Sequence, residues 1–288
     1  MAISIKGVNT GVIRQKDTFI ALALKIREPR NKESLFFFSV MELRDLLIAL
    51  ESRLWQKQQI NADERQNYEK ARDKANKKMV ENIPELQVEE LKNADINRRI
   101  KTLSLISNQG EDLIFALTLH DGSQCELQVN ELQIEMIARA IIHAINNAEM
   151  LELAQRMTSL LDFLPLFDVD CQDNGNLEYD SYDQPEWKHN LFSHYLAVIY
   201  RYQDQEGKEQ FCGSIVKSRA PSGGKEVEGI TRRLLDFSPR LKKIAQTPCQ
   251  VSVRTLTANS SQQLTQEQCL RALHHLRVQT AQKAAEQK

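Results

Sequence analysis

The sequence lacks any hydrophobic run long enough to cross a membrane. Its longest run of aliphatic and phenylalanine residues is FIALAL (Phe19–Leu24), whereas a transmembrane helix needs about 20 apolar residues. The opening stretch MAISIKGVNTGVIRQ contains neither the apolar segment nor the small-residue cleavage site of a secretory signal. We therefore expect a cytoplasmic protein with no membrane partner.

The sequence also lacks the paired cysteine and histidine patterns of disulfide frameworks and zinc sites. The five cysteines form no CxxC pair, which favours reduced thiols in a cytoplasm. His189 and His194 are five residues apart, too far out of phase to share a helical face for zinc. We expect no metal and no cofactor. A thiol–imidazole dyad of Cys171 and His189 is the one enzymatic alternative.

Two loops come close to known ligand-binding motifs but miss essential positions. The stretch RAPSGGKE (219–226) has Arg219 where a phosphate-binding loop needs its first glycine, and Glu226 where it needs Ser or Thr. The stretch DCQDNGNLEYDS (170–181) resembles a calcium loop but ends in Ser181, where a bidentate Glu should close the site. These departures favour a binding or regulatory protein over an enzyme.

An internal repeat is the most informative pattern that is present. IKGVNTGVIRQKDTFIALAL (5–24) and IKTLSLISNQGEDLIFALTL (100–119) share six identities at a constant offset of 95 residues. Each segment continues into a further strand and an amphipathic helix, beginning at SVMELRDLLIAL and QVNELQIEMIARAI. The pattern predicts two copies (3–58 and 98–147) of an antiparallel β-meander followed by a helix, packed into one domain (1–164). Two unrelated meander-plus-helix units are the alternative.

Several local features of the copies are predicted from their residues. The runs TFIALALKI and LIFALTL are apolar throughout, which predicts strands buried on both faces. Ser39 is the expected cap of the first helix, and Asn130 caps the second, running from Glu131 to Asn147 with an isoleucine stripe. A charged helix from Asn61 to about Glu81 should separate the copies.

The charge is segregated along the chain although the net charge is only −1. Residues 157–187 contain eight acidic residues and no Lys or Arg, whereas residues 217–254 contain nine basic and three acidic residues, a net charge of +6. We interpret 165–187 as an acidic linker. It should lead to a smaller, basic α+β domain (188–288) with a hairpin, three helices, a further strand and a frayed polar tail. Thr265 and Gln268 are the expected start of the last helix. The fold class is therefore α+β.

The basic domain contains the predicted binding site. A cluster of cations falls within twelve residues: Arg232, Arg233, Arg240, Lys242 and Lys243. Four aromatic residues lie on the preceding hairpin: Tyr195, Tyr200, Tyr202 and Phe211. Cations beside aromatic rings are typical of single-stranded nucleic-acid binding, although strand aromatics are more often core residues. The predicted ligand is nucleic acid or an acidic protein, for which the acidic linker would compete.

The whole chain resembles the YjeJ-like proteins of enteric bacteria. The segments that carry the resemblance include MAISIKGVNTGVIR, ALESRLWQK, DVDCQDNGNLEYD, QPEWKHNLF and RLLDFSPRLKK. The resemblance implies a bacterial cytoplasmic protein and no particular activity. In outline, the repeated meander and helix is also similar to PUR-repeat modules, which bind single-stranded nucleic acid. We therefore expect a non-enzymatic binding or regulatory protein. The alternative is a protein-interaction scaffold, or a homo-oligomer formed through the apolar helix of the second copy.

Overall fold

The chain folds into two compact units of mixed helix and sheet. The structure is a computed structural model that describes residues 2–172, 176–256 and 263–286. Unit 1 spans Met1–Leu161 and unit 2 spans Asp162–Lys288. Strands and helices occur in both units, which confirms the predicted α+β class. No described helix is long and apolar enough to cross a membrane.

Unit 1 contains two separate sheets. Its strands are β1 (Ile3–Ser4), β2 (Gly7–Gln15), β3 (Thr18–Arg27), β4 (Glu33–Phe38), β5 (Ile100–Ser107), β6 (Asp112–Leu119) and β7 (Gln124–Asn130). One sheet is the antiparallel meander β2-β3-β4, and the other has the order β1-β7-β6-β5. The only parallel pairing between these strands joins β1 to β7. The start of the chain therefore completes the sheet of the second repeat.

The helices of unit 1 follow the expected order. They are α1 (Val40–Gln58), α2 (Ala62–Val80), α3 (Val88–Lys92), α4 (Ile134–Asn147) and α5 (Leu151–Thr158). Ser39 caps α1 by accepting a hydrogen bond from the Met41 N–H, and Asn61 caps α2 in the same way through Glu64. The predicted caps of these two helices are thus confirmed, as is the charged helix between the repeats.

The helix of the second repeat begins later than predicted. α4 starts at Ile134, because Asn130 accepts a hydrogen bond from the Leu132 N–H and forms a turn rather than a helix cap. Glu131 is held outside the helix by ion pairs with Arg53 at 2.8 Å and Lys57 at 2.6 Å. The isoleucines of α4 face the interior, where Ile134, Ile137, Ile141 and Ile145 are buried.

The two repeats have the same element order, and each helix also contacts the other repeat. The Thr10 hydroxyl of β2 donates to the Ala140 carbonyl of α4 at 2.9 Å. Arg53 of α1 donates to the Gly110 carbonyl in the β5–β6 turn at 2.6 Å. The two meanders therefore share one unit, whereas their common origin stays a prediction from sequence.

The central strands of the two sheets differ in burial. In β3 the residues from Ala21 to Ile26 are buried on both faces, as predicted. In β6 burial alternates, so the expectation of two covered faces is wrong there. Leu86 lies just before α3 and Leu91 lies in it, and both pack against Ala21, Ala23 and Phe37. This connecting segment therefore covers the second face of the β2-β3-β4 sheet.

Unit 2 is a five-stranded sheet with helices. Its elements are β8 (Phe163–Cys171), β9 (Leu177–Ser181), α6 (Glu186–His189), β10 (His194–Gln203), β11 (Glu209–Ser218), α7 (Glu226–Phe237), a 3₁₀ turn (Lys242–Ile244), β12 (Cys249–Leu256) and α8 (Gln266–Glu286). The strand order is β12-β10-β11-β8-β9. The predicted β10–β11 hairpin is confirmed, with His194 opposite Ser218 and Gln203 opposite Glu209.

The stretch expected to be an acidic linker is part of this sheet. β8 pairs with β11 on one side and with β9 on the other, and Asp168 is fully buried. Asp168 accepts a hydrogen bond from the Tyr182 hydroxyl at 2.5 Å. Pro165, which suggested a linker, lies where the register between β8 and β11 shifts, and a bulge tolerates proline. The linker prediction for 165–187 is therefore wrong.

The polar C-terminal tail is helical rather than frayed. α8 runs to Glu286, and Thr280 and Ala284 near its end are buried. Its start was predicted correctly. The Thr265 hydroxyl accepts from the Gln268 N–H, and the Gln268 side chain accepts from the Thr265 N–H.

Candidate functional site

The five predicted binding residues lie on α7 and on the segment that follows it. Arg232 and Arg233 are in α7, and Lys242 and Lys243 are in the 3₁₀ turn. The Ser238 hydroxyl fixes this turn by accepting a hydrogen bond from the Leu241 N–H at 3.0 Å. We call these five residues the predicted basic face: Arg232, Arg233, Arg240, Lys242 and Lys243.

Arg240 and Lys243 are bound to carboxylates of β8 and β9. Arg240 donates to both oxygens of Asp180, at 2.9 and 3.0 Å, and to Asp170 at 2.8 Å. Lys243 donates to the other oxygen of Asp170 at 2.6 Å. These hydrogen bonds lower the pKa of Asp180 and raise the pKa of Arg240. The hydrogen bonds between this guanidinium and the two carboxylates are charge-assisted and therefore strong. Arg240 is thus paired within unit 2 and is not free to bind a ligand.

Arg233 is engaged as well. Its guanidinium donates to Asp162 at 2.6 Å and to the Gly229 carbonyl at 3.0 Å, and it lies over the Phe163 ring. Arg232 is 77% exposed and pairs with Glu228 one turn away on α7. Lys242 is exposed. Most of the predicted basic face is therefore neutralised by unit 2 itself.

The predicted competition by the acidic stretch takes a different form in this structure. The carboxylates do contact Arg240 and Lys243, but they belong to strands of the same sheet rather than to a displaceable linker. Deleting 165–187 would remove most of β8, the neighbour of β11. That deletion would therefore test folding and not affinity.

The aromatic residues nominated for base stacking are mostly in the core. Tyr195, Tyr200 and Phe211 are buried, and the Tyr200 hydroxyl donates to the Thr231 carbonyl at 2.6 Å. Burial raises the pKa of Tyr202 to about 12. Among the described aromatic residues, Tyr179 on β9 is exposed, with 42% of its surface accessible. Stacking platforms need exposed rings, whereas three of the four nominated rings are buried and Tyr202 is half-buried.

A second cationic surface lies between β12 and α8, and its residues were not among those predicted from the sequence. It is a groove with a volume of about 420 Å³, lined by Arg254, Thr255, Leu256, Leu264, Gln268, Arg271, Ala272, His275 and Gln279. We call it the cationic groove. Among the described residues, its lining includes two arginines and a histidine, and no carboxylate.

The local fold explains how the cationic groove forms. Cys269, Leu273 and Leu276 of α8 are buried, which turns the stripe of Gln268, Arg271, His275 and Gln279 toward the groove. The Arg254 guanidinium on β12 donates to the side-chain amide oxygen (Oε1) of Gln279 at 3.5 Å. Arg271 pairs with Glu267, and both of these side chains are 78% exposed. An ion pair that exposed is weak. The arginines therefore remain available to an acidic ligand.

The sequence contained a signal for half of this groove. Residues 268, 271, 275 and 279 follow the three- and four-residue spacing of one helical stripe. The sequence does not show that β12 is the edge strand beside α8. Arg254 lies 17 residues before Arg271 along the chain, so no local pattern connects the two residues.

A further groove lies within unit 1, between α1, α4 and α5. Its volume is about 450 Å³, and its lining includes Glu51, Arg139 and His143 beside Leu47 and Leu161. Arg139 pairs with Glu135 on α4. The mixed charges of this groove favour no single class of ligand.

The enzymatic alternative places Cys171 and His189 together, and the structure separates them. Cys171 is the last residue of β8. The His189 carbonyl accepts a hydrogen bond from Lys217, and Lys217 pairs with Leu164 near the first residue of β8, so His189 lies near the opposite end of that strand. Seven residues of strand span about 23 Å. Burial also raises the pKa of the Cys171 thiol to about 11, which opposes thiolate formation.

The two ligand-like loops differ in how much of them is described. A methyl group at Gly224 would lie 2.9 Å from both the Ala220 Cβ and a Glu226 carboxylate oxygen. That carboxylate sits at the start of α7, where a phosphate would have to bind. The calcium-like loop lies partly outside the described residues. No described group of three or more His, Cys, Asp or Glu side chains has a metal-binding arrangement.

The fold and its groove define a class of protein: a two-unit α+β protein with a cation-lined groove beside the sheet of unit 2. Comparison with known proteins gives the family. The family model for YjeJ-like proteins matches residues 1–283. An Escherichia coli (strain K12) protein, described as "Uncharacterized protein YjeJ", is 75% identical over 287 residues, which are 100% of this chain and 99% of that protein. The chain belongs to the YjeJ-like family, as its resemblance predicted. No solved structure matches it.

Proposed function

We propose that this protein is a non-catalytic binding protein that holds an acidic protein partner in the cationic groove of unit 2. The observation that carries the proposal is the lining of that groove, where Arg254, Arg271 and His275 come together without a carboxylate. Complementary charge of this kind gives an interface its specificity and speeds association.

The geometry favours a protein partner over single-stranded nucleic acid. Both ligands supply negative charge, but nucleic-acid binding of this type also needs exposed aromatic rings. The candidate rings Tyr195, Tyr200 and Phe211 are buried. The described lining of the cationic groove contains no Phe, Tyr or Trp.

The alternative, homo-oligomerisation through the apolar helix of the second repeat, has less support. The isoleucine stripe of α4 is buried inside unit 1, so the apolar surface on which this alternative relied is already covered. A helix whose apolar stripe is internal offers mainly polar residues to a second copy.

Fluorescence polarisation of the full chain with a labelled poly-glutamate peptide tests the proposal. The groove variant Arg254→Gln/Arg271→Gln should bind about tenfold more weakly at low salt, because two cations beside the ligand are lost. The matched control is Arg232→Gln/Lys242→Gln, which removes the same charge from the predicted basic face and should leave affinity unchanged.

Three results would contradict the proposal. Surface charges are weakly screened at about 50 mM salt. If the wild-type chain does not bind the peptide there, an acidic partner is ruled out. Loss of binding in the control variant alone would assign the ligand to the predicted basic face. Tighter binding of single-stranded oligo-dT, lost in the groove variant, would assign the groove to nucleic acid.

A further inference from the structure

β12 is an edge strand of the unit 2 sheet, and its outer side is open among the described residues. The sheet order ends at β12, which pairs with β10 alone within residues 2–172, 176–256 and 263–286. Gln250, Val251 and Arg254 of this strand are exposed. Arg254 is its one charged residue. An edge strand with unpaired backbone groups and little charge is a template for an added strand.

The opposite edge of the same sheet differs. β9 is shorter, five residues against eight in β12, and carries Glu178 and Asp180. Charged residues on a short strand are the usual protection of a sheet edge. The sheet is therefore protected at one edge and open at the other.

The two faces of β12 differ in chemistry, and the sheet register shows how. In the sheet register, Ser252 lies opposite Ile199, and Ile199 lies opposite Gly213, so the three residues share one face. This face packs on α8, because a methyl group at Gly213 would lie 3.3 Å from Leu273. Ser252 and Arg254 therefore face α8, because side chains alternate along a strand. The α8 side of the edge is cationic, with Arg271 and His275 beside Arg254.

The other face of β12 is apolar. Val251 lies opposite Tyr200, whose hydroxyl bonds to the Thr231 carbonyl of α7. Val251 and Val253 therefore face the α7 side, where Val251 is 40% exposed. A strand added at this edge would meet cations on one face and valines on the other.

We propose that the open edge of β12 receives an extended segment of a partner protein in which acidic and apolar residues alternate. The inference rests on the proposed function and names its ligand. The added strand gains main-chain hydrogen bonds from β12, its acidic residues reach Arg254, Arg271 and His275, and its apolar residues cover Val251 and Val253. Charge complementarity selects such a segment over a purely apolar one.

A second copy of this chain fits the edge less well. Its β12 would bring a second set of groove cations against the first, and like charges repel. Its β9 does alternate acidic and apolar residues, in LEYDS, but Asp180 there is held by Arg240 at 2.9 Å. The occupant is therefore a segment of another protein.

Peptide binding to the full chain tests this inference. The probe is a fluorescein-labelled peptide of alternating Glu and Val, and the matched control has its central Val residues replaced by Pro, with the same charge. Proline cannot donate to a strand ladder. We expect the proline peptide to bind about tenfold more weakly and the Arg254→Gln/Arg271→Gln variant to lose affinity for the first peptide.

The outcomes separate the inference from the proposed function. Equal binding of both peptides, with loss in the groove variant, would overturn strand addition and leave the acidic partner in place. Absence of binding by either peptide would overturn both. Growth of the chain into larger species by light scattering, with β12 amides protected in the absence of peptide, would overturn the inference in favour of a second copy.

Discussion

At the scale of single residues, pairing decides which cations of unit 2 are available to a ligand. Arg240 and Lys243, three residues apart in the sequence, both contact Asp170. The sequence does not show that Asp170 pairs with both cations and Asp180 with Arg240, because those carboxylates lie 60 to 73 residues earlier in the chain. A count of charge along a segment says nothing about charges that folding brings to it.

The carboxylate contacts of Arg240 predict a structural role for this residue. Arg240→Gln should lower the free energy of unfolding of unit 2 by about 1–3 kcal/mol, because hydrogen bonds between charged groups are lost. The measurement is urea unfolding followed by fluorescence. Lys242→Gln, an exposed neighbour, should change it by less than about 0.5 kcal/mol. Equal effects of the two substitutions would show that the Arg240 ion pairs contribute nothing.

The same ion pair predicts a dependence on pH. Arg240 lowers the pKa of Asp180 below its ordinary value of 3.8. A carboxyl group whose pKa is lower in the folded state stabilises the fold above the unfolded pKa, and that contribution is lost as pH falls through the folded pKa. The urea midpoint of the wild-type chain should therefore fall below about pH 4, and fall less in Asp180→Asn. A variant that follows the wild-type curve would contradict this account.

At the scale of elements, local signals predicted most helices and hairpins, and tertiary packing decided the rest. Ser39, Asn61 and Thr265 were recognised as helix starts because caps are local. β8 was missed because its Pro and Asp residues are typical of loops, and the reasons for tolerating them, a bulge and a partner hydroxyl from Tyr182, come from elsewhere in unit 2.

The contacts of Arg53 predict a strong link between the two repeats of unit 1. Arg53 and Glu131 are 5% and 8% exposed, and Arg53 also donates to the β5–β6 turn. Arg53→Ala should destabilise unit 1 by about 3–5 kcal/mol, because it removes one of the two cations that pair with the buried Glu131 carboxylate. The check is the urea midpoint, with Arg139→Ala as the exposed control in the same unit. A loss below about 1 kcal/mol would mean that Lys57 alone suffices for Glu131.

At the scale of the whole molecule, the acidic and basic blocks belong to one folded unit. Unit 2 begins at Asp162, so the acidic stretch provides two of its five strands. This explains why two blocks of opposite charge stand side by side in a chain with a net charge of −1. The arginines of the groove are among the cations of unit 2 that this pairing leaves exposed.

This organisation predicts where the chain divides into folding units. A fragment of residues 162–288 should fold, with dispersed amide signals in a two-dimensional NMR spectrum. A fragment of residues 188–288 should not, because β11 would lose β8 and with it the buried side chains of Phe163, Leu164 and Val169. Dispersed spectra from the shorter fragment would show instead that 165–187 is dispensable.

Hydrogen exchange of the intact chain, with and without the alternating Glu-Val peptide, tests the central claim most directly. The account predicts slower exchange on peptide addition for the amides of β12 (Cys249–Leu256) and the first turns of α8, with no change in the 3₁₀ turn Lys242–Ile244. Protection of α7 and that turn, with β12 unchanged, would contradict it and return the ligand to the predicted basic face.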